Sequence, residues 1–368
     1  LIRNIFISLI ILPLLLAGCS SANNNKDILI GVAWPLASNN SLFKEGVELA
    51  VNEINQNGGI KSKKLEIIMN DDEASVAKGM AVAQSYAENK DMVAVIGHRN
   101  SSISIPASRI YEDAGLVMLS PASTAPELTE QGYNFIFRNI PSDDEITRQL
   151  AIFAAHSGHK RMVIYYSDDS YGRGLANSFE DHAGKDGVYI VDRFSYYGKL
   201  TDLERLHQKW KALDFDGVFI AQALPGGAEF IAEAGQAGIT VPFIGGNALD
   251  SPMLYDIAGK YAEGTVIGTI FNPLESRPEV ESFIKSFKQK YNQSPTAYSA
   301  QGYDAVKLLA AAIEKSNSTN PSVIADQLRK LNNYPGVAGY HTFNDNGDDI
   351  GKLVIKKVFR NGRFEYMD

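Results

Sequence analysis

Short apolar runs alternate with amphipathic stretches along most of the chain. Ile28-Leu29-Ile30-Gly31-Val32-Ala33 reads as a buried strand; Phe43, Val47, Ala50 and Ile54 follow at helical spacing, and Gly58-Gly59 supplies a stop. Strand patterns recur at 65–69, 93–97 and 117–119, separated by helical stripes at Val76, Met80, Ala83 and Ala87 and over 101–114. After Pro141 the alternation begins afresh. Helices are predicted over 145–156, 171–185, 203–213 and 228–237, with strands at 162–166, 188–194, 217–220 and 243–244 between and after them. From Pro273 the pattern turns mainly helical (279–291, 297–314, 322–331), and strands at 352–359 and 363–366 close it. Strand–helix alternation of this kind is the mark of parallel sheets covered on both faces, here in two lobes.

The first residues follow a different pattern. A short polar start with Arg3 leads into an apolar run from Ile5 to Leu16, which contains Pro13 and ends Leu16-Ala17-Gly18-Cys19. That layout is a secretory signal with a small-residue cleavage site, and the run falls short of the roughly 20 residues that span a bilayer. The L-A-G-C ending resembles a bacterial lipobox, which implies removal of residues 1–18 and lipidation of Cys19, with 19–26 as a polar tether. Two or three acyl chains suffice for stable anchoring. The expected location is the bacterial cell envelope, facing the periplasm or the exterior.

Composition narrows the function classes. The 368 residues are 45% hydrophobic and 21% charged, with a formal net charge of −8, which describes a folded chain without the basic stripes that nucleic acid requires. A single cysteine forms no internal disulfide and builds no cysteine-rich zinc site. There is no P-loop, H-E-x-x-H or G-x-S-x-G. Gly172-Arg173-Gly174 lacks the third glycine of a dinucleotide fingerprint, Asn177 standing there. His156 and His159 read as surface histidines, and Asp71-Asp72-Glu73 as a solvated loop after a strand. No catalytic constellation or cofactor site is expected, so the chain is read as a non-enzyme.

In open parallel sheets, ligands bind beyond the carboxyl ends of the strands. Three such ends carry hydroxyl and aromatic groups: Gly97 to Ser102, Leu119 to Thr124, and Ser167 to Gly172. Ser101 stands at a helix start, where a hydroxyl, backbone N–H groups and the helix dipole suit a carboxylate, although an ordinary N-cap fits it equally. Tyr171 at another helix start favours a cleft. Trp34, after the first strand, is read equally as core or as cleft wall.

The runs GVELAVNEINQNGGIKSKKLEIIMNDDEASVAKGMAVAQ, GHRNSSISIPASRIYEDAGLVMLSPASTAPELT, SDDSYGRGLANSFE and PTAYSAQGYDAVKLLAAAIE resemble, in order, the leucine/isoleucine/valine-binding periplasmic proteins. The resemblance implies a type I periplasmic binding protein, with two doubly wound parallel-sheet lobes joined by a three-crossing hinge. It places lobe 1 at 27–141 plus 273–346 and lobe 2 at 142–272 plus 347–368. The crossings are expected near 139–142, 271–273 and 343–351. It also implies a monomer that closes on a small carboxylate-bearing solute, neutral or branched-chain amino acids first, and delivers it to an ABC permease and its ATPase. A sensory module presenting its closed form to a receptor is the alternative.

Carried over by position, Ser101 binds the ligand carboxylate. Thr124, with Ser123 beside it, grips carboxylate and ammonium; Tyr171 covers the ligand, and Tyr298 supplies an aromatic wall. Asn247 departs from the pattern, standing where amino-acid binders place an acid against the ammonium. A neutral amide leaves a buried ammonium unbalanced. Asp168, Asp169 and Asp250 are the expected substitutes; if none faces the cleft, an amide or keto acid becomes the favoured ligand.

Cys19→Ser is expected to abolish incorporation of radioactive palmitate and to release the protein from the membrane fraction. Its unfolding temperature should stay unchanged, because no disulfide is lost. Continued labelling of the variant would disprove lipidation at Cys19.

Overall fold

The computed structural model describes residues 26–37 and 41–367, so Cys19 and most of its tether lie outside the described residues. The first stretch runs β1 (Ile28–Trp34), α1 (Phe43–Gln56), β2 (Leu65–Asp71), α2 (Val76–Glu88), β3 (Met92–Ile96), α3 (Ser101–Ala114), β4 (Val117–Ser120) and β5 (Ile136–Arg138). These strands form one wholly parallel sheet in the order β2-β1-β3-β4-β5. Every residue of β3 and β4 is buried, which is why both read as unbroken apolar runs.

The chain then crosses to a second lobe: α4 (Asp143–His156), β6 (Arg161–Tyr166), α5 (Ser170–Lys185), β7 (Tyr189–Phe194), α6 (Leu200–Ala212), β8 (Gly217–Ala221), α7 (Gly226–Gln236), β9 (Phe243–Gly245), α8 (Met253–Ala258) and β10 (Val266–Thr269). It returns as α9 (Pro278–Tyr291), α10 (Ala297–Ser316) and α11 (Pro321–Arg329), followed by the hairpin β11 (Tyr334–Gly336) and β12 (Gly339–His341). A last passage gives β13 (Ile355–Arg360) and β14 (Arg363–Tyr366). The second sheet has the order β14-β13-β10-β9-β8-β6-β7, parallel except for β13 and β14.

Apolar residues of the helices assign each to a sheet. Phe43 and Val47 of α1, Val306 and Leu309 of α10 and Leu328 of α11 pack with Ile30, Ile96 and Leu119 on one face of the first sheet. Tyr86 of α2 and Tyr111 of α3 cover the other face. The close α1–α10 approach depends on Gly46, since a Cβ there would sit 2.0 Å from the Ser299 carbonyl oxygen. In the second lobe, Leu150 of α4 and Phe179 of α5 cover one face, and Trp210, Phe230 and Leu254 of α6, α7 and α8 the other.

The elements that the pattern does not announce are β5, β10, α8 and the β11–β12 hairpin, each only three to six residues long and too short to show a period. The last strand pair starts at Ile355 rather than at Lys352, because the Lys352 ammonium is drawn inward to the Ala338 carbonyl oxygen at 2.9 Å. Two polar readings are also corrected. Asp72 is buried against His98 Nδ1 at 2.8 Å, and His159 is buried with its ring 3.2 Å from Asp216.

The crossings are joined by buried polar groups. Arg138, fully enclosed at the end of β5, holds Asp348 of the last passage, with Nε 2.6 Å from the carboxylate. It also donates to the carbonyls of Ser123 (3.3 Å), Ala125 (2.8 Å) and Pro126 (3.2 Å). Nearby, His341 lies between Asp349 (2.7 Å) and Asp304 (3.1 Å), and Lys352 is 3.4 Å from Asp349. Burial and Lys352 oppose the imidazolium, but the two carboxylates outweigh them and hold the His341 pKa above its usual value.

Arg138→Met is expected to lower unfolding stability by about 3–5 kcal/mol, because it removes the cation paired with Asp348 and a donor to three buried carbonyls. Urea denaturation measures this. A loss below about 1 kcal/mol would show that the guanidinium is not a structural tie.

Candidate functional site

The carboxyl ends of β3 and β4 build the first-lobe wall. The loop after β3 places the His98 carbonyl oxygen 3.2 Å from the hydroxyls of Ser104, Ser120 and Ser123. This ties the start of α3 to the loop after β4. Ser101 opens α3, is almost wholly enclosed, and accepts from the Ala125 N–H at 3.3 Å. A hydroxyl that accepts in this way keeps its own O–H to donate. The first backbone N–H groups of α3 have no partner within the helix, so the site offers several donors and the positive end of a dipole. Thr124 is fully buried, and its Oγ1 has no hydrogen-bond partner.

The second lobe faces this wall with the carboxyl ends of three adjacent strands. Ser167 follows β6, Gln222 follows β8 and Asn247 follows β9; Ser167 Oγ, Gln222 Oε1 and Asn247 Oδ1 are each enclosed without a partner. Tyr171 in the first turn of α5 likewise has an unpartnered hydroxyl, packed beside the Gly246 and Ala248 backbone. Asp169 caps α5, accepting from the Gly172 N–H at 2.8 Å, which is what turns Tyr171 into this corner. Burial raises the Tyr171 pKa well above the phenol range, so the hydroxyl stays neutral.

Asp143 opens α4 between the two walls. Its N–H donates to the Thr124 carbonyl at 2.7 Å, the residue is fully buried, and its carboxyl makes no well-formed hydrogen bond beyond the approach of the Thr124 hydroxyl. Burial pushes its carboxyl up to about 7; the Thr124 hydroxyl and Arg138 pull it partly back, and Asp169 opposes them.

The lobes meet at Gly174 of α5. A Cβ there would lie 3.2 Å from Asp143 Oδ2, 3.6 Å from Pro126 Cδ and 3.8 Å from Ala125 Cβ. Beside this contact a cavity of about 450 Å³ opens between the lobes, bordered by Ala37, Arg99 and Tyr298 on one side and Leu224, Pro225 and Ala248 on the other. The Arg99 guanidinium lies over the Tyr298 ring, 5.1 Å from its centroid. Trp34, read equally as core or wall, packs in the first-lobe core. It is almost wholly buried and stacked on Phe43 at 3.7 Å, and its edge meets Tyr298 at 5.7 Å.

Ser101, Thr124, Tyr171 and Asn247 thus all follow strand ends of the two sheets, and Tyr298 lines the interlobe cavity. Ser123 differs from the sequence expectation. Its hydroxyl is committed to Ser104 Oγ (2.6 Å) and to the His98 and Arg99 carbonyls, so it fixes the loop rather than gripping a ligand. Of the three acids expected to balance an ammonium, Asp250 borders the interlobe cavity, and each of the three already has a partner. Asp168 is exposed and pairs with Arg173, Asp169 caps α5, and Asp250 is held by Thr269 and Lys357. Sequence reasoning missed Asp143, whose one signal is an acid at a helix start directly after the hinge proline Pro141. Among the described residues, no group of three or more His, Cys, Asp or Glu is placed to hold a metal ion.

Two parallel-sheet lobes, three chain crossings and a polar cleft between the strand ends define a solute-binding protein of the type I periplasmic fold. The chain belongs to the Periplasmic binding protein family, whose pattern it matches over residues 28–356. It is 31% identical over 344 residues to the Leu/Ile/Val-binding protein of Escherichia coli K12, covering 91% of this chain and 92% of that one. It is 30% identical over 331 residues to the leucine-, isoleucine-, valine-, threonine- and alanine-binding protein of Pseudomonas aeruginosa, covering 89% of this chain and 88% of that one. Among solved structures, an ABC transporter substrate-binding protein of Desulfitobacterium hafniense in complex with Leu is similar at 55% identity and TM-score 0.86, covering 93% of this chain and all of that one. A leucine-binding protein of Thermotoga maritima is similar at 27% identity and TM-score 0.84, covering 93% and 98% of the two chains.

Gly174→Leu should act as a wedge against Ala125 and Pro126 and populate separated lobes. Solute affinity is expected to fall roughly tenfold or more, since apparent affinity scales with the closed-competent fraction. Small-angle scattering should show an enlarged radius with ligand present. Unaltered affinity and radius would mean that the contact at Gly174 does not limit closure.

Proposed function

We propose that this chain is the lipid-anchored solute-binding subunit of an ABC importer, taking up neutral amino acids with an aliphatic side chain. In this reading the two lobes, 27–141 plus 273–346 and 142–272 plus 347–368, rotate about their three crossings and enclose the solute. The observation that carries the proposal is the paired grip at the start of α3. Ser101, held by the Ala125 N–H, keeps an O–H to donate, and the buried Thr124 hydroxyl beside it lacks a partner. A carboxylate satisfies both, together with the first-turn N–H groups.

The side chain of the solute then points to the interlobe cavity, where Leu224, Pro225, Ala248 and Tyr298 offer apolar contact. The named ligands of the relatives, branched-chain amino acids above all, agree with that chemistry. Tyr171 closes over the solute from the second lobe, and its neutral hydroxyl serves as donor or acceptor. The protein acts as a monomer that presents its closed form to the permease and its ATPase.

Ser101→Ala removes a charge-assisted hydrogen bond, and affinity for leucine by calorimetry should drop roughly tenfold or more, about 1.5–3 kcal/mol. An unchanged dissociation constant would reject the carboxylate role. Titration of the intact protein with leucine, isoleucine, valine, alanine and threonine tests the ligand class, and absence of binding to all five would reject it.

A further inference from the structure

We infer that Asp143, at the junction of the two lobes, is the anionic partner of the ligand's ammonium group and replaces the acid that Asn247 does not supply. The inference rests on the amino-acid reading above and names the residue that completes it. Asp143 is a fully buried carboxyl whose one close side-chain donor is the Thr124 hydroxyl, so its charge is costly unless a cation arrives to pair with it. Its surroundings show where that partner sits. Thr124, whose hydroxyl is proposed to meet the carboxylate end of the ligand, lies directly beside it. Tyr171 and Gly174 of α5 approach it from the second lobe. An amino acid held at the start of α3 therefore brings its ammonium, one carbon away from its carboxylate, within reach of Asp143. The unpartnered Asn247 Oδ1 supplies a neutral acceptor for the same group from the far wall.

The charged groups around Asp143 leave this position open. Arg138 is committed to Asp348 and to the loop carbonyls, so it biases the carboxyl without bonding it. Asp169 across the cleft is a second negative charge and favours the neutral form. On α4 itself, Asp144 pairs with His182 and Glu145 with Arg148. Binding is thereby coupled to a proton. Burial pushes the carboxyl up to about 7, and an ammonium beside it favours the ionised form, so ligand uptake expels a proton below that pH. The same carboxyl discriminates against solutes that have a carboxylate but no ammonium, since their negative charge finds Asp143 and Asp169 nearby.

Calorimetry of the full chain and of Asp143→Asn with leucine and with 4-methyl-2-oxopentanoate, the same skeleton lacking the ammonium, tests the assignment. The wild type is expected to prefer leucine, and to bind it roughly tenfold or more weakly at pH 5.5 than at pH 8, with proton release at the lower pH. Asp143→Asn should lose leucine affinity by roughly thirtyfold or more, lose the pH dependence, and hold the oxo acid at least as well as the wild type. Its melting temperature should be equal to or above that of the wild type, which separates lost binding from lost folding. Unchanged leucine binding by Asp143→Asn overturns the assignment and leaves the amino-acid reading standing. A wild type that prefers the oxo acid, or binds neither compound, overturns both.

Discussion

A single buried guanidinium coordinates the parts of this molecule that must agree. Arg138 closes β5, holds the carbonyls of the loop that carries Thr124, and pairs with Asp348 in the last passage between lobes. A planar group with donors in a fixed fork imposes angles as well as distances, which a lysine at the same place does not do. The ligand loop therefore cannot shift without disturbing the hinge. That stiffness preserves the pre-formed donors at the start of α3, so that lobe rotation moves intact surfaces instead of reshaping them.

The second cluster at the crossings works by charge balance. His341 and Lys352 face Asp304 and Asp349, two cations against two anions when the imidazole is protonated, in a volume closed to water. Such a cluster is directional, because every member has fixed partners and the backbone of the β11–β12 hairpin also donates to Asp304. It anchors the return of the chain from α9, α10 and α11 and leaves rotation to the few residues between elements. Hinge motion in two-lobe proteins is carried by such short segments.

Much of this was legible in the residues and some was not, for physical reasons. Strands with both faces covered, such as β3 and β8, appear as continuous apolar runs, and helices such as α1 show their stripe. By contrast, β5 has three residues and no pattern, yet it ends in Arg138. The hydroxyl-rich loops after β3 and β4 stand out in the sequence, but sequence does not say which hydroxyl is already spent. Ser123 is consumed by Ser104 and two carbonyls, whereas Thr124 is not. Asp143 was hidden in an ordinary acid-rich helix start, one of three carboxylates in the first turn of α4. Only the fold turns it inward and leaves its two neighbours at the surface, paired with His182 and Arg148.

The antiparallel pair β13 and β14 at the edge of the second sheet has a consequence for how the protein is made. Val358 on β13 pairs with Val266 on β10, so a sheet begun near residue 161 waits for strands synthesised after 355. The first sheet is likewise covered only when α10 and α11 emerge, more than 150 residues after its last strand has begun. Neither lobe is thus complete on a nascent chain, and both become complete within the last few dozen residues.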